Sequence, residues 1–138
     1  MRGEVNLARD VRQRPPPAGF RLSLADVAIL AVGSSLSAVG WAFVGDAALL
    51  VAFVVLHFFL FCNVFRIRRG AELVWAGVFI VDCAIWGLSC ESFVAAACVS
   101  QLVVTGLVIC REVMSPRYHG ILASRLNPRL RDYLDGKV

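Results

Sequence analysis

Two ionisable side chains stand inside long apolar runs, and they are the residues of this chain best placed to do chemistry. Asp82 lies at the centre of the run from Glu72 to Leu88, and His57 interrupts the run from Ala47 to Phe65. A carboxylate at mid-bilayer costs roughly 2.5–3.5 kcal/mol on insertion scales, so it normally faces protein and keeps a partner there. Helix rise gives the depths above the inner boundary of the expected spans: Asp82 lies at ~13–14 Å, His57 at ~12 Å, Ser100 and Gln101 at ~14–15 Å, and Gly33 to Ser35 at ~14–16 Å. All four levels coincide. The arithmetic therefore predicts one polar layer, in which His57 and Asp82 pair and Gln101, Ser100 and Ser34 or Ser35 complete the network. An imidazole and a carboxylate that share a proton near neutral pH supply what a proton relay needs. The competing reading is packing: interhelical hydrogen bonds of this kind average about 0.6 kcal/mol and serve to fix register.

Other chemistry finds no motif. The chain has no GxxxxGK[ST] and no HExxH. Its two histidines, His57 and His119, fall in different compartments of the expected topology, and no Cys/His group has zinc spacing. Of the five cysteines, Cys62, Cys83, Cys98 and Cys110 lie in or beside apolar runs and are expected to pack as small residues. Cys90, near a predicted turn, is the one position suited to an intermolecular disulfide. Glu72, at the edge of a run, and Glu112, Tyr118 and His119, beyond the runs, are polar groups without a recognisable catalytic geometry. The expectation is a protein that is not an enzyme, with no metal and no cofactor.

The elements that position these residues follow from hydropathy. Of 138 residues, 59% are hydrophobic and 17% charged, and the mean hydropathy is +0.73. Soluble domains stay near 45–50% apolar on a broader count, so the surplus needs a lipid environment. Four runs have spanning length or nearly so: 24–44, 47–65, 72–89 and 93–110. Ser23 with Asp26 is a capping signal for the first. Gly33, Ser37 and Gly40 give that run a small-residue face suited to close helix approach. Gly45-Asp46 and Ser89-Cys90-Glu91-Ser92 read as turns. Trp41 and Trp75 are expected at opposite membrane interfaces.

The charges fix the orientation. All fourteen Lys and Arg residues fall in three segments: five before the first run, three (Arg66, Arg68, Arg69) between the second and third, and six after the fourth. The two remaining turns carry only Asp46 and Glu91. The positive-inside rule then places both termini and the middle loop in the cytoplasm, and it works only with four spans. The fold class predicted is an all-α integral membrane four-helix up-down bundle, made of two antiparallel transmembrane hairpins, in a bacterial inner membrane.

Residues 1–23, with Pro15, Pro16 and Pro17, read as a flexible cytoplasmic leader, and a cleaved signal peptide is not expected. The tail 111–138 is basic. Asn127-Pro128 and Gly136 bracket a predicted short amphipathic helix over 128–135, with Leu126, Leu130 and Leu134 four apart. Arg66, Arg68, Arg69, Arg125, Arg129 and Arg131 are expected to contact anionic lipid headgroups or a partner rather than nucleic acid. Two functions remain open. One is an interaction or scaffold subunit that self-associates or docks a larger membrane complex. The other is a small homo-oligomeric ion or proton channel or transporter built on Asp82 and His57.

Overall fold

The structure is a computed structural model and describes residues 18–89, 92–135 and 137. Pro15 to Pro17, Cys90 and Gly136 lie outside the described residues. Within them the chain is helical, with no strand. Three helical stretches are long and apolar enough to cross a membrane: Leu24–Phe65, Arg69–Ser89 and Phe93–Val113.

The first stretch is 42 residues long and folds back on itself. Its opening helix, α1 (Leu24–Val44), starts at the predicted capping box: Ser23 Oγ accepts from Asp26 N, and the Asp26 carboxylate accepts from Ser23 N at 2.7 Å. Helix α1 stops at Gly45, whose φ of 58° lies in the left-handed region open to glycine. A 3-10 turn, Gly45–Ala48, reverses the chain into α2 (Leu49–Phe59). The small-residue face then does its work inside the chain. Ser37 Oγ donates across the turn to Ala48 O at 2.7 Å. A Cβ on Gly33 would sit 2.6 Å from a Val55 methyl, and one on Gly40 would touch the Ala48 Cβ at 3.4 Å. Gly33 and Ser37 are buried against α2 and are not an open surface for a second chain.

Helix α2 widens into a π-helix, Leu60–Phe65, and ends at Arg66 with φ 52°. Phe61 O accepts from both Arg66 N and Ile67 N. Helix α3 (Arg69–Ser89) and α4 (Phe93–Val113) follow as a second packed pair, and α4 also packs against α2. Helix α3 begins three residues before the predicted start at 72, and α4 runs three residues past the predicted end at 110. Both extensions carry a charge the hydropathy pattern penalised, Arg69 and Arg111 with Glu112. Arg69 and Arg111 are exposed, as long basic side chains at helix ends can be, whereas Glu112 is buried and pairs with Arg68.

The core is aromatic. Phe53, His57, Trp75 and Phe79 stack with interplanar angles between 11° and 38° for their close pairs, and Phe61 meets Trp75 edge-on at 88°. Trp75 is therefore not the interfacial residue that was expected. It is 4% exposed, and its indole N–H donates to Thr105 Oγ1 at 2.9 Å, so a partner inside the protein replaces the headgroup.

The tail differs in part: a helix lies inside the predicted 128–135 but is shorter, and another precedes it. It forms two short helices, α5 (Ala123–Leu126) and α6 (Leu130–Leu134), broken at Asn127-Pro128. A residue before proline is pushed out of the helical region, and Asn127 takes φ −111° and ψ 101°. Leu126, Leu130 and Leu134 thus do not share one helical face.

Enlarging Gly33 should force α1 and α2 apart, because an added Cβ would stand 2.6 and 2.9 Å from the two methyls of stiff, β-branched Val55 and 3.2 Å from its Cβ. Gly33→Val is expected to cost about 1–3 kcal/mol and to lower the thermal midpoint in detergent by several degrees. Gly77→Ala, at a position with nothing within 4 Å, should leave the midpoint unchanged or slightly raised.

Candidate functional site

Two groups of polar residues compete for a functional role: the mid-span layer, and the end of the molecule where residues 18–21, 60–67 and 115–127 meet.

The mid-span layer is divided. His57 Nδ1 donates to Phe53 O one turn back on its own helix at 2.8 Å, since a carbonyl can only accept. Its ring is 5% exposed and lies against Trp75, 5.0 Å between centroids. Asp82 accepts instead from Ser100 Oγ at 2.5 Å, joining α3 to α4. Among the described residues the expected His57–Asp82 pair does not form. The depths agree, but depth fixes only one coordinate: His57 points into the aromatic stack, while Asp82 sits at the α3–α4 seam.

Gln101 belongs to a third set. It is wholly buried, and its Nε2 donates to Trp75 O at 3.0 Å. Thr105 Oγ1 donates to Gln101 O and accepts from Trp75 Nε1. Gln101 Oε1 is buried with no hydrogen-bond partner. Ser34 and Ser35 stand on the exposed side of α1, and Ser35 Oγ bonds back to Ala31 O at 2.8 Å. The helix-one members therefore leave the network altogether.

The other end is tied together through the backbone. A helix leaves its last carbonyls without intrahelical donors, and the π-helix leaves those of Asn63 and Val64 for other segments. Arg21 N donates to Asn63 O at 3.2 Å, and Ile121 N donates to Val64 O at 2.8 Å. Gly19 N donates to His119 O at 2.9 Å, which links the two terminal segments directly. The Asn63 amide, oriented to satisfy both neighbours, donates to Arg21 O at 2.8 Å and to Asp26 Oδ2 at 3.0 Å. Residues 18–23 are thus bonded in place and not the loose end of a flexible leader.

The segment after α4 is held equally firmly. Asn127 is 4% exposed; its Nδ2 donates to Pro116 O and Tyr118 O, and its Oδ1 accepts from Arg129 N. Tyr118 is 1% exposed and donates to Ile121 O at 2.7 Å. Burial pushes its phenol above the ordinary value, so it stays protonated and keeps donating. Gly120 lies so close to Phe65 that a Cβ would stand 2.5 Å from the Phe65 carbonyl oxygen.

This frame carries the basic residues. Arg117, Arg125, Arg129 and Arg131 are exposed on it, as are Arg69 and Arg111 beside it. Arg66 is half-buried. Arg68 differs from the expectation of a free headgroup ligand: its Nε donates to buried Glu112 at 3.2 Å. Asn63 and Gly120 were not expected in this frame, and Asn127 and Tyr118, expected as a helix start and as a polar group without catalytic geometry, serve here to hold it. The signal was available in part, because an Asn inside a long apolar run and a Gly flanked by bulky residues both demand a local reason.

Two substitutions separate the roles. His57→Phe keeps the stack and loses one local bond, so it should change stability by at most about 1 kcal/mol, whereas His57→Ala should cost about 3 kcal/mol or more. Chemical denaturation in detergent reads both. Gly120→Ala, pressed onto rigid backbone, should free the 115–127 segment, and limited proteolysis should then cut there much faster than in the wild type.

Family models, curated proteins and solved structures give no significant match to this chain.

Proposed function

We propose that the chain crosses the membrane four times as an up-down bundle with both termini in the cytoplasm, and that it acts as an interaction subunit through its basic cytoplasmic end. The observation that carries this reading is the set of backbone bonds joining residues 18–21, 63–64 and 119–121. Those three segments border the three groups that hold every Lys and Arg of the sequence. Basic residues are held on one side of a bilayer by the cost of moving charge through hydrocarbon. Geometry and charge thus favour the same arrangement, with Gly45–Ala48 and the turn before Phe93 on the far side.

An exposed arginine on a loose tail binds with a large entropy cost, and a pre-ordered one avoids it. Arg117, Arg125, Arg129 and Arg131 stand on a segment locked by Asn127 and Tyr118, which suits docking onto an acidic protein surface or anionic headgroups at the bacterial inner membrane. The spans expose apolar side chains such as Leu36, Ile80, Val103 and Leu107, a surface for lipid or for a neighbouring span. The alternative, a channel or proton path, rested on a shared proton between His57 and Asp82. Among the described residues His57 bonds to Phe53 and Asp82 to Ser100 rather than to each other, which favours the interaction reading.

Two measurements test this reading. Reporter fusions after residues 46, 68, 91 and 118 should report outside, inside, outside, inside; positions 68 and 118 on opposite sides would overturn the four-span arrangement. Light scattering of protein purified in mild detergent should show an assembly larger than one chain, reduced by the triple change Arg125→Gln, Arg129→Gln and Arg131→Gln. A monodisperse wild-type monomer would overturn the interaction role.

A further inference from the structure

A groove of about 430 Å³ opens between the start of α3 and the end of α4, lined among others by Arg68, Ala71, Val74, Val108, Arg111 and Glu112. Its walls change character with depth. At the rim stand two guanidinium groups. Val108 lies three residues before Arg111, hence ~4.5 Å further along the axis, and Val74 lies five beyond Arg69, hence ~7.5 Å. A cationic mouth therefore passes into an aliphatic channel along the direction in which a lipid lies.

The electrostatics are arranged for an anion rather than merely left positive. Glu112 has a side chain 6% exposed and engages Arg68 through Nε, while the Arg68 side chain remains 59% exposed. The bridge engages the guanidinium through Nε, and the exposure of the side chain leaves its terminal donors available to a phosphate. Arg111 completes the mouth as an exposed cation on the opposing helix. Two cations and one carboxylate leave the mouth with a single net positive charge, matching one phosphodiester. Val74 is 62% exposed, so the channel is open along its length to the surrounding hydrocarbon.

We infer that this groove seats one anionic phospholipid, with the phosphate between Arg68 and Arg111 and the first chain methylenes along Ala71, Val74 and Val108. The inference rests on the membrane-spanning reading above and deepens it: the lipid would join α3 to α4 at the level where the basic end meets the bilayer. The volume accommodates a headgroup phosphate and its adjoining methylenes, and the remaining chain continues past Val74 into the bilayer. A free phosphate would use the mouth and ignore the channel, so the apolar wall distinguishes the two sources.

Native mass spectrometry of protein released from vesicles of mixed phosphatidylglycerol and phosphatidylcholine tests this. One phosphatidylglycerol should be retained, preferred by about tenfold over phosphatidylcholine. Arg111→Gln should reduce that retention by about tenfold through loss of one charge-assisted contact. Val74→Trp, which fills the channel without touching the mouth, should reduce it comparably. Thermal midpoints report whether each variant is folded, and Arg111→Gln keeps the reporter pattern of the spans, so loss of the lipid site is read separately from loss of the topology. Should Val74→Trp misfold, Val108→Phe fills the same channel from the other wall. Equal retention of both lipids, or undiminished retention in folded Arg111→Gln, would overturn the assignment. Displacement by inorganic phosphate alone, with folded channel-filling variants unaffected, would overturn it in favour of a free anion site.

Discussion

A polar group surrounded by hydrocarbon must find its partner within the protein, and most of this structure is an answer to that demand. Trp75 N–H goes to Thr105, the Gln101 amide goes to Trp75 O, Asp82 receives Ser100, and His57 spends its proton on Phe53 O. Each bond is worth little alone. Three of them join α3 to α4 and decide which faces of those two helices meet, whereas the His57 bond stays within α2 and satisfies its donor locally. The aromatic stack then fills the space between the polar seams. Among the described residues, Gln101 Oε1 is a buried side-chain acceptor without a partner, and we have no physical account of it.

The same demand explains the non-helical end. Carbonyls at a helix terminus that cannot reach water need donors, and the π-helix at Leu60–Phe65 offers two of them to segments far apart in sequence. The pairing of Val64 with Ile121 and of Asn63 with Arg21 closes the chain across its three basic regions. Close approach is what makes this possible: Gly120 brings backbone against backbone where any side chain would intrude. Arginines on such a frame differ from arginines on a tail because their spacing is set by main chain rather than by chance encounter.

Hydropathy made the apolar runs legible, and the capping box at Ser23 and Asp26 gave one helix start to the residue. Charge placement points to one side for the basic segments, and the bonds joining residues 18–21, 63–64 and 119–121 bring the described borders of those segments together. The mid-span network was not legible, for a definite reason. Depth along the membrane normal can be counted from residue numbers, but azimuth depends on which helix faces which, and the seam between α3 and α4 rotates Asp82 away from His57. The end frame was missed because its bonds are backbone to backbone over separations that no local pattern encodes. Trp75 was misplaced by the same kind of argument: an interfacial depth was read as an interfacial role, although Thr105 lay ready to take its indole proton.

The bonds among residues 18–21, 63–64 and 119–121 also have a meaning for synthesis. The hairpin of α1 and α2 can close on its own as it emerges, because its contacts are local to Gly33, Ser37 and Ala48. The basic end cannot, since its frame needs residues separated by about the whole span of the membrane domain. A chain interrupted after α2 or α3 would be inserted yet carry only unorganised arginines. The arrangement of the basic end would therefore arise late and at once, only when the last of its segments has been made.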